Sequence, residues 1–225
     1  MKIGIVVFPG SNCDKDIHHV LCNVLHTNTH FIWHTHDDLQ GYDAIILPGG
    51  FAYGDRLRAG VIAAFSPVMK EVKRIAEEGR PVLGICNGFQ ILVESGLLPG
   101  ASVKNNSLKF VCRWTEITVE NNRTPFTHAM KPKQRIRIPV ANQEGRYVAD
   151  PTTIEMLERN NQIVFKYYND DPSGSLNAIA GISNEDGNVV GMMPHPERAS
   201  ESILNPYNSN DAILIFKSLL DYMDR

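Results

Sequence analysis

The segment Gly84-Ile85-Cys86-Asn87-Gly88 places a cysteine between two glycines where a predicted strand turns into a helix. This has the form of a nucleophile elbow, with cysteine where hydrolases of related architecture carry serine. A residue on so tight a turn is held in strained backbone geometry, and side chains two positions away would collide, so glycine is required at 84 and 88. The turn pushes the sulfur out at the carboxyl end of a central strand, where open α/β sheets bind ligands. The following helix aims its positive end at the sulfur and favours negative charge there. The backbone N–H of Asn87 is placed to donate to a developing oxyanion. Taken alone, these five residues fit a buried structural cysteine about as well.

Met192-Met193-Pro194-His195-Pro196-Glu197-Arg198 changes that balance. Prolines at 194 and 196 forbid a regular helix and hold the chain extended. In an extended chain residues i and i+2 share a side, so His195 and Glu197 can lie together. A carboxylate beside an imidazole fixes its tautomer and supports the imidazolium formed when the ring takes a proton. His195 could then deprotonate Cys86 and later protonate a departing amine. A rigid Pro-His-Pro-Glu loop without chemistry is the alternative, and the cysteine elbow makes it the weaker one.

The elements needed to bring these residues together are readable as patterns. A buried strand spans Ile3 to Phe8 and ends at Pro9-Gly10-Ser11-Asn12; a helix is expected from Asp14 to about His26. Strands follow around His30 to His36 and at Asp43 to Leu47, the latter stopping at Pro48-Gly49-Gly50. Helical periodicity returns from about Ala59 to Glu78, with Gly79 as its stop. Arg80 to Ile85 reads as a short buried strand, and a helix is expected from about Phe89 to Ser95. Alternation at this spacing predicts an α/β fold with right-handed crossovers and a mainly parallel central sheet flanked by helices. From Leu108 the texture changes. Phe110–Val119, Arg135–Val140 and Asn177–Ile182 look like strands with hairpin-type links, and Asp186-Gly187-Asn188 like a tight turn before a strand from Asn188 to Gly191. A closing helix is expected from Asp211 to Met223. With no repeat and no evident linker, residues 1–225 read as one domain.

Composition agrees with a folded domain. Hydrophobic residues make up 43% of the 225-residue chain, enough for a substantial core. A formal net charge of -3 gives no support to nucleic-acid binding. No apolar run approaches membrane-spanning length and the opening strand does not resemble a signal peptide, so a cytoplasmic location is expected. The four cysteines, Cys13, Cys22, Cys86 and Cys112, lack metal-like spacing and are expected as free thiols.

The two motifs, in this order, resemble the class I, triad-type glutamine amidotransferase family. Pro48-Gly49-Gly50-Phe51 resembles that family's glycine-rich loop, and Gln90 matches its Gly-x-Cys-x-Gly-x-Gln pattern. The resemblance implies a flavodoxin-like sheet and a Cys86-His195-Glu197 triad. It further implies an oxyanion hole of Gly50 or Phe51 with Asn87, and a glutamine pocket shaped partly by Gln90. Phe8–Asp14, Gly54–Gly60, Cys86–Gln90, Met193–Arg198 and Glu144-Gly145-Arg146-Tyr147 narrow it to one branch over nearly the whole chain. In that branch the glutaminase passes ammonia to a large synthetase, with or without a third small subunit. The synthetase uses ATP and Mg to convert formylglycinamide ribonucleotide to its amidine in purine biosynthesis. No cofactor is expected on this chain itself, because Gly49-Gly50 lacks the Lys-Ser/Thr of a phosphate-binding loop, and no metal, because no recognised ligand spacing is complete. Asn142-Gln143 departs from the His-Gly more usual in the branch and is expected to face substrate or partner.

Four other features invite interpretation. Six of the eight histidines fall between His18 and His36, which reads as solvated edge surface rather than a metal site. Cys13 lies near the active edge but has no His-x-Glu partner in its own segment, and reads as a small buried or interface residue. Lys131 to Arg137 reads as a solvated strand face, and Tyr53, Asp55, Arg56 and Arg58 as contacts to the synthetase. Rival classes are a cysteine hydrolase or chaperone of the intracellular-protease type, a γ-glutamyl hydrolase, and a non-catalytic glutamine-binding subunit. The first does not need a carboxy-terminal His-Pro-Glu unit, the second usually carries a secretory signal, and the third would be expected to lose Cys86 or His195.

Overall fold

The computed structural model describes residues 1–224. The chain opens with β1 (Lys2–Val7), α1 (Asp14–His18), β2 (Asn28–Trp33), β3 (Ala44–Leu47), α2 (Val68–Glu77), β4 (Val82–Ile85) and α3 (Asn87–Glu94). Then come β5 (Ala101–Val103), β6 (Val111–Val119), β7 (Arg135–Asn142), β8 (Arg146–Val148), α4 (Pro151–Arg159), β9 (Ile163–Tyr167), β10 (Ile179–Ser183), β11 (Val189–Met192) and α5 (Ile213–Met223).

One nine-stranded sheet runs through the molecule in the order β2-β1-β3-β4-β11-β10-β9-β6-β7, and β5 pairs with β8 in a small second sheet. From β2 to β11 the neighbours are parallel; beyond β11 each pair is antiparallel. The antiparallel strands of the second half therefore extend the same sheet. β3, β4 and β11 are buried at every position, as strands covered on both faces must be, whereas β6 and β7 alternate over much of their length.

Several boundaries differ from the sequence pattern for local reasons. The first helix gives way after His18 to a π-helical turn, His19–Val24, closed by Leu25 N–H to Val20 O. The second strand ends at Trp33, so His34 and His36 lie beyond it. The helix expected from Ala59 is broken: a 3-10 turn covers Ala63–Phe65, Ser66 is extended as the residue before Pro67, and α2 starts only at Val68. α3 begins directly at Asn87, two residues earlier than expected, and α5 at Ile213. The expected strand at 188–191 runs Val189–Met192. Helix α4 and strands β5, β8 and β9 have no counterpart in the sequence pattern. α4 nevertheless carries a readable start: Asp150 accepts from Thr153 N–H at 3.0 Å and proline occupies the first turn.

Candidate active site

β4 and β11 are parallel neighbours with Gly84 opposite Gly191 and Ile85 opposite Met192. The segments leaving the two strands must therefore emerge side by side at one edge. Directly after β4 stands Cys86, at φ +50 and ψ −105, a conformation that costs a non-glycine residue of order 1–3 kcal/mol. Its neighbours hold it there. A Cβ on Gly88 would stand 2.0 Å from Leu47 O, and one on Gly84 would meet Gly88 O at 2.6 Å. Phe89 lies so close on Gly191 that a Cβ there would meet its ring at 2.1 Å. Helix α3 thus sits hard against the sheet with its first N–H, that of Asn87, beside the cysteine. The Cys86 N–H donates to Met192 O at 2.7 Å, and its sulfur lies 3.7 Å from Ala141 O.

Past β11, His195 is extended and donates its backbone N–H to Pro139 O at 2.9 Å. Its Nδ1 meets Glu197 Oε1 at 2.6 Å, with both residues buried. Nδ1–H faces the carboxylate, so Nε2 is the atom left for chemistry, and it has no protein partner among the described residues. Burial alone would favour the neutral ring, but the Glu197 carboxylate and the Cys86 thiol hold the imidazole pKa well above its usual value. Gly49 marks the meeting point: a Cβ there would lie 2.7 Å from His195 Cε1, 3.1 Å from Cys13 Sγ and 3.4 Å from Cys86 Cβ. This arrangement can move a proton from a thiol to a leaving group while Glu197 keeps the ring oriented.

The glycine-rich loop completes the wall. Gly50 has φ +142 and lies so close to Ser11 and Asn12 that a Cβ would meet Asn12 N at 2.7 Å. The Phe51 N–H donates to Gly10 O at 3.0 Å, so of the two loop amides it is Gly50 that has no acceptor among the described residues. Asn87 ties the loop to the elbow: its Oδ1 accepts from Ala52 N–H at 3.0 Å, and its Nδ2 donates to Gln90 Oε1 at 2.9 Å. Gln90 in turn donates to Glu144 O at 2.7 Å, so its amide is occupied by protein and acts on the pocket through the loop it holds. A cavity of about 200 Å³ opens here, lined by Cys13, Gly50, Phe51, Cys112, His195 and Arg198 among others.

Sequence reading missed three contributors. Asp55 accepts from Asn87 Nδ2 at 3.3 Å, and burial together with the Glu144 carboxylate pushes its pKa up to about 6 despite that bond. Arg198 donates to Cys13 Sγ at 3.1 Å and reaches Asp16 at 3.4 Å. Cys13 is buried, which raises its thiol pKa even though it faces His195 and Arg198. The histidine it lacked in its own segment is thus supplied from across the fold. Nothing in the linear sequence pairs residue 13 with residue 195; the strand order does.

The remaining sequence candidates lie elsewhere or are otherwise engaged. Asn142 is buried, its carbonyl held by Asn105 Nδ2 at 3.0 Å, and only Gln143 faces outward. Tyr53 is half-buried on His34 Nδ1 at 2.9 Å, whereas Arg56, Leu57 and Arg58 are exposed, Arg58 while paired with Glu94. Arg135 and Arg137 lie over the rings of Tyr168 and Tyr207 at 4.8 and 4.4 Å.

Comparison with known proteins places the chain in a family. A phosphoribosylformylglycinamidine synthase subunit PurQ from Moorella thermoacetica is 51% identical over 233 residues, covering 100% of this chain and 98% of the relative. A chain of the PurLQS structure from Thermotoga maritima superimposes with a TM-score of 0.89 at 44% identity, covering 99% of this chain and 98% of that one. A putative GMP synthase subunit from Thermoplasma acidophilum, at 17% identity and a TM-score of 0.65 over 100% of this chain and 94% of that one, shares the fold. The family model for the CobB/CobQ-like glutamine amidotransferase domain matches residues 1–223. This chain belongs to the CobB/CobQ-like glutamine amidotransferase family.

Proposed function

We infer that this chain is the glutaminase subunit of a phosphoribosylformylglycinamidine synthase. The observation that carries the chemistry is the buried 2.6 Å His195–Glu197 pair at the same sheet edge as the Cys86 elbow. The full-length 51% identity to a PurQ subunit carries the choice of pathway.

Cys86 Sγ adds to the side-chain amide carbon of glutamine with the thiol proton carried on His195 Nε2. The oxyanion is met by the N–H groups of Asn87 and Gly50. His195 returns the proton to the leaving nitrogen, ammonia departs and a glutamyl thioester remains. A water gives a proton to the same Nε2 and attacks the thioester; the C–S bond breaks, and glutamate leaves as the sulfur is reprotonated. Glu197 holds Nδ1–H throughout. Gln90 and Glu144 keep the pocket wall in place through Asn87 and the backbone at 144.

Ammonia then passes to the large synthetase subunit, alone or with a third small subunit. ATP and Mg belong to that partner, where the amide oxygen of formylglycinamide ribonucleotide is exchanged for nitrogen. The exposed Arg56, Leu57 and Arg58, next to the oxyanion loop, are the partner-facing residues of that segment. Residues 1–225 act as one amidotransferase domain, consistent with the unbroken sheet. No helix among the described residues is long and apolar enough to cross a membrane, and a cytoplasmic site of action fits a purine pathway enzyme.

The test is glutamate release with and without the synthetase, ATP and formylglycinamide ribonucleotide. Cys86→Ala should lower the stimulated rate by about 10⁴-fold or more, as loss of a nucleophile does. Activity that survives the substitution would point instead to a hydrolase working through another group.

A further inference from the structure

The end of β7 and the residues after it run past the nucleophile. Ala141 O lies 3.7 Å from Cys86 Sγ. Glu144 O accepts from Gln90 Nε2 on α3 at 2.7 Å and from Ser102 Oγ at 2.6 Å, and Glu144 Oε2 accepts from Ala59 N–H at 3.2 Å. Residues 141–145 are thus a wall that joins the cysteine, the elbow helix and the far end of the glycine-rich loop. Between these points a single residue, Asn105, grips it three times. Its Nδ2 donates to Asn142 O at 3.0 Å, its backbone N–H to Gln143 O at 2.9 Å, and its Oδ1 accepts from Gly145 N–H at 2.9 Å. Nδ2 also donates to Lys109 O at 3.1 Å, next to Phe110, whose ring centroid is 6.3 Å from that of Phe51 in the oxyanion loop. Asn105 is fully buried, so both Nδ2 hydrogens and Oδ1 are bonded to backbone and none to water.

We propose that Asn105 is a positioning residue for the glutaminase reaction, holding the wall at 141–145 where a glutamine side chain can be seated against Cys86. This role rests on the glutaminase reading. Asn105 does not reach the reacting atoms; it acts through Ala141 and Glu144. Cys86 and His195 are held by β4 and β11, which Asn105 does not contact through any of these bonds, so its loss leaves the thiol reactive and spoils the seating of substrate. A shift of about 1 Å in such a wall can cost about 100-fold. Aspartate at 105 keeps the acceptor for Gly145 N–H but loses the two donations and turns a lone pair toward the carbonyl oxygens of Asn142 and Lys109.

The experiment compares full-length wild type, Asn105→Ala, Asn105→Asp and Asn188→Ala, each with the synthetase, ATP and formylglycinamide ribonucleotide. Asn188 is the matched control. It is also buried and donates Nδ2 to two backbone carbonyls, Ala76 O at 2.8 Å and Arg80 O at 3.0 Å, but stands at the opposite end of the β4–β11 pair from Cys86. Cys86 is alkylated with a chloromethyl ketone analogue of glutamine, which must occupy the pocket, and with iodoacetamide, which need not; peptide masses report the labelled residue. Glutamate release supplies KM and kcat. Both Asn105 variants should lower the ratio of analogue to iodoacetamide labelling by about 10- to 100-fold, keep the iodoacetamide rate, and raise KM more than they lower kcat. Asn188→Ala should lose stability in urea and keep the ratio. If Asn105→Ala does not fold, Asn105→Asp carries the comparison. A labelling ratio and KM unchanged on substitution of Asn105, or a ratio lowered as much by Asn188→Ala, overturns the positioning role alone. A wild type labelled no faster by the analogue than by iodoacetamide overturns the glutaminase reading, and the positioning role with it.

Discussion

The elbow and the glycine-rich loop face the same reacting atoms but are held in different ways. Cys86 and His195 emerge from adjacent buried strands whose register leaves them no freedom, and the glycines at 84, 88 and 191 admit no looser packing. The loop from Gly50 to Gly60 has no such frame. Tyr53, Asp55 and Leu57 are all left-handed without being glycine, Leu57 is 92% exposed, and beyond the backbone bonds of Phe51 and Tyr53 to Gly10 and Pro9 the segment is tied down by a few side-chain bonds to Asn87, His34 and Glu144. In the proposed mechanism proton transfer is therefore preorganised by the sheet, while the Gly50 half of the oxyanion hole depends on a strained surface segment. Since one missing oxyanion donor typically costs on the order of 100- to 1000-fold, a partner that adjusts this loop can control rate without touching the triad.

The largest effect should come from the rigid side. Glu197→Gln keeps the size of the side chain and an oxygen for Nδ1–H but removes the charge. Glutamate release should fall by roughly 10²- to 10⁴-fold, by analogy with loss of the carboxylate in serine proteases. The synthetase should not restore it, because both side chains are buried within this chain. A decrease of less than tenfold, or recovery on adding the partner, would show that the sheet-held pair does not limit the reaction.

Asn87→Ala addresses the other side. Its backbone N–H is unchanged; the losses are the Oδ1 that holds Ala52 N–H and the Nδ2 that meets Gln90. The rate without partner should fall by about 10- to 100-fold as the loop drifts, a smaller loss than a whole oxyanion donor. Docking of the synthetase should recover part of it, so the ratio of stimulated to basal rate should exceed that of the wild type. An equal loss in both conditions would mean that the loop is not the adjustable half.

The same division explains how much could be read from the sequence. The elbow was legible because its constraints are local: two glycines, a short apolar strand and a helix that starts at once. His195 was legible because the flanking prolines hold its entry extended; Glu197 reaches it not from the extended chain that the prolines suggested but from a 3-10 turn, Pro196–Ala199, that starts directly after it. Ser66-Pro67 broke a helix that apolar periodicity alone extended to Ala59, a case of one residue overriding a pattern. Helix α4 had its cap and proline in plain view but little apolar face to attract notice, with Leu157 its only fully buried residue. The meeting of Cys13 with His195, of Asp55 with Asn87, and of Phe51 N–H with Gly10 O depends on which strands are neighbours and how an irregular loop turns back. No spacing rule carries that information.

The smallest effect tests whether the loop stores strain. Folded Asp55 titrates at about 6 against 3.8 for a free carboxyl, with burial the main cause and Glu144 the second. The folded state therefore binds more protons than the unfolded one between about pH 4 and 6, and stability must fall as pH rises through that window. The full shift corresponds to about 3 kcal/mol; screening at this half-exposed group reduces it to about 1 kcal/mol. Asp55→Asn retains an oxygen for Asn87 Nδ2 and tolerates the left-handed backbone. Urea denaturation should show little change at pH 4, a gain of about 1 kcal/mol at pH 8, and a flatter slope between them. If the variant keeps the wild-type slope, the carboxylate is not the source of strain in the loop, and the contrast with the elbow must rest on backbone conformation alone.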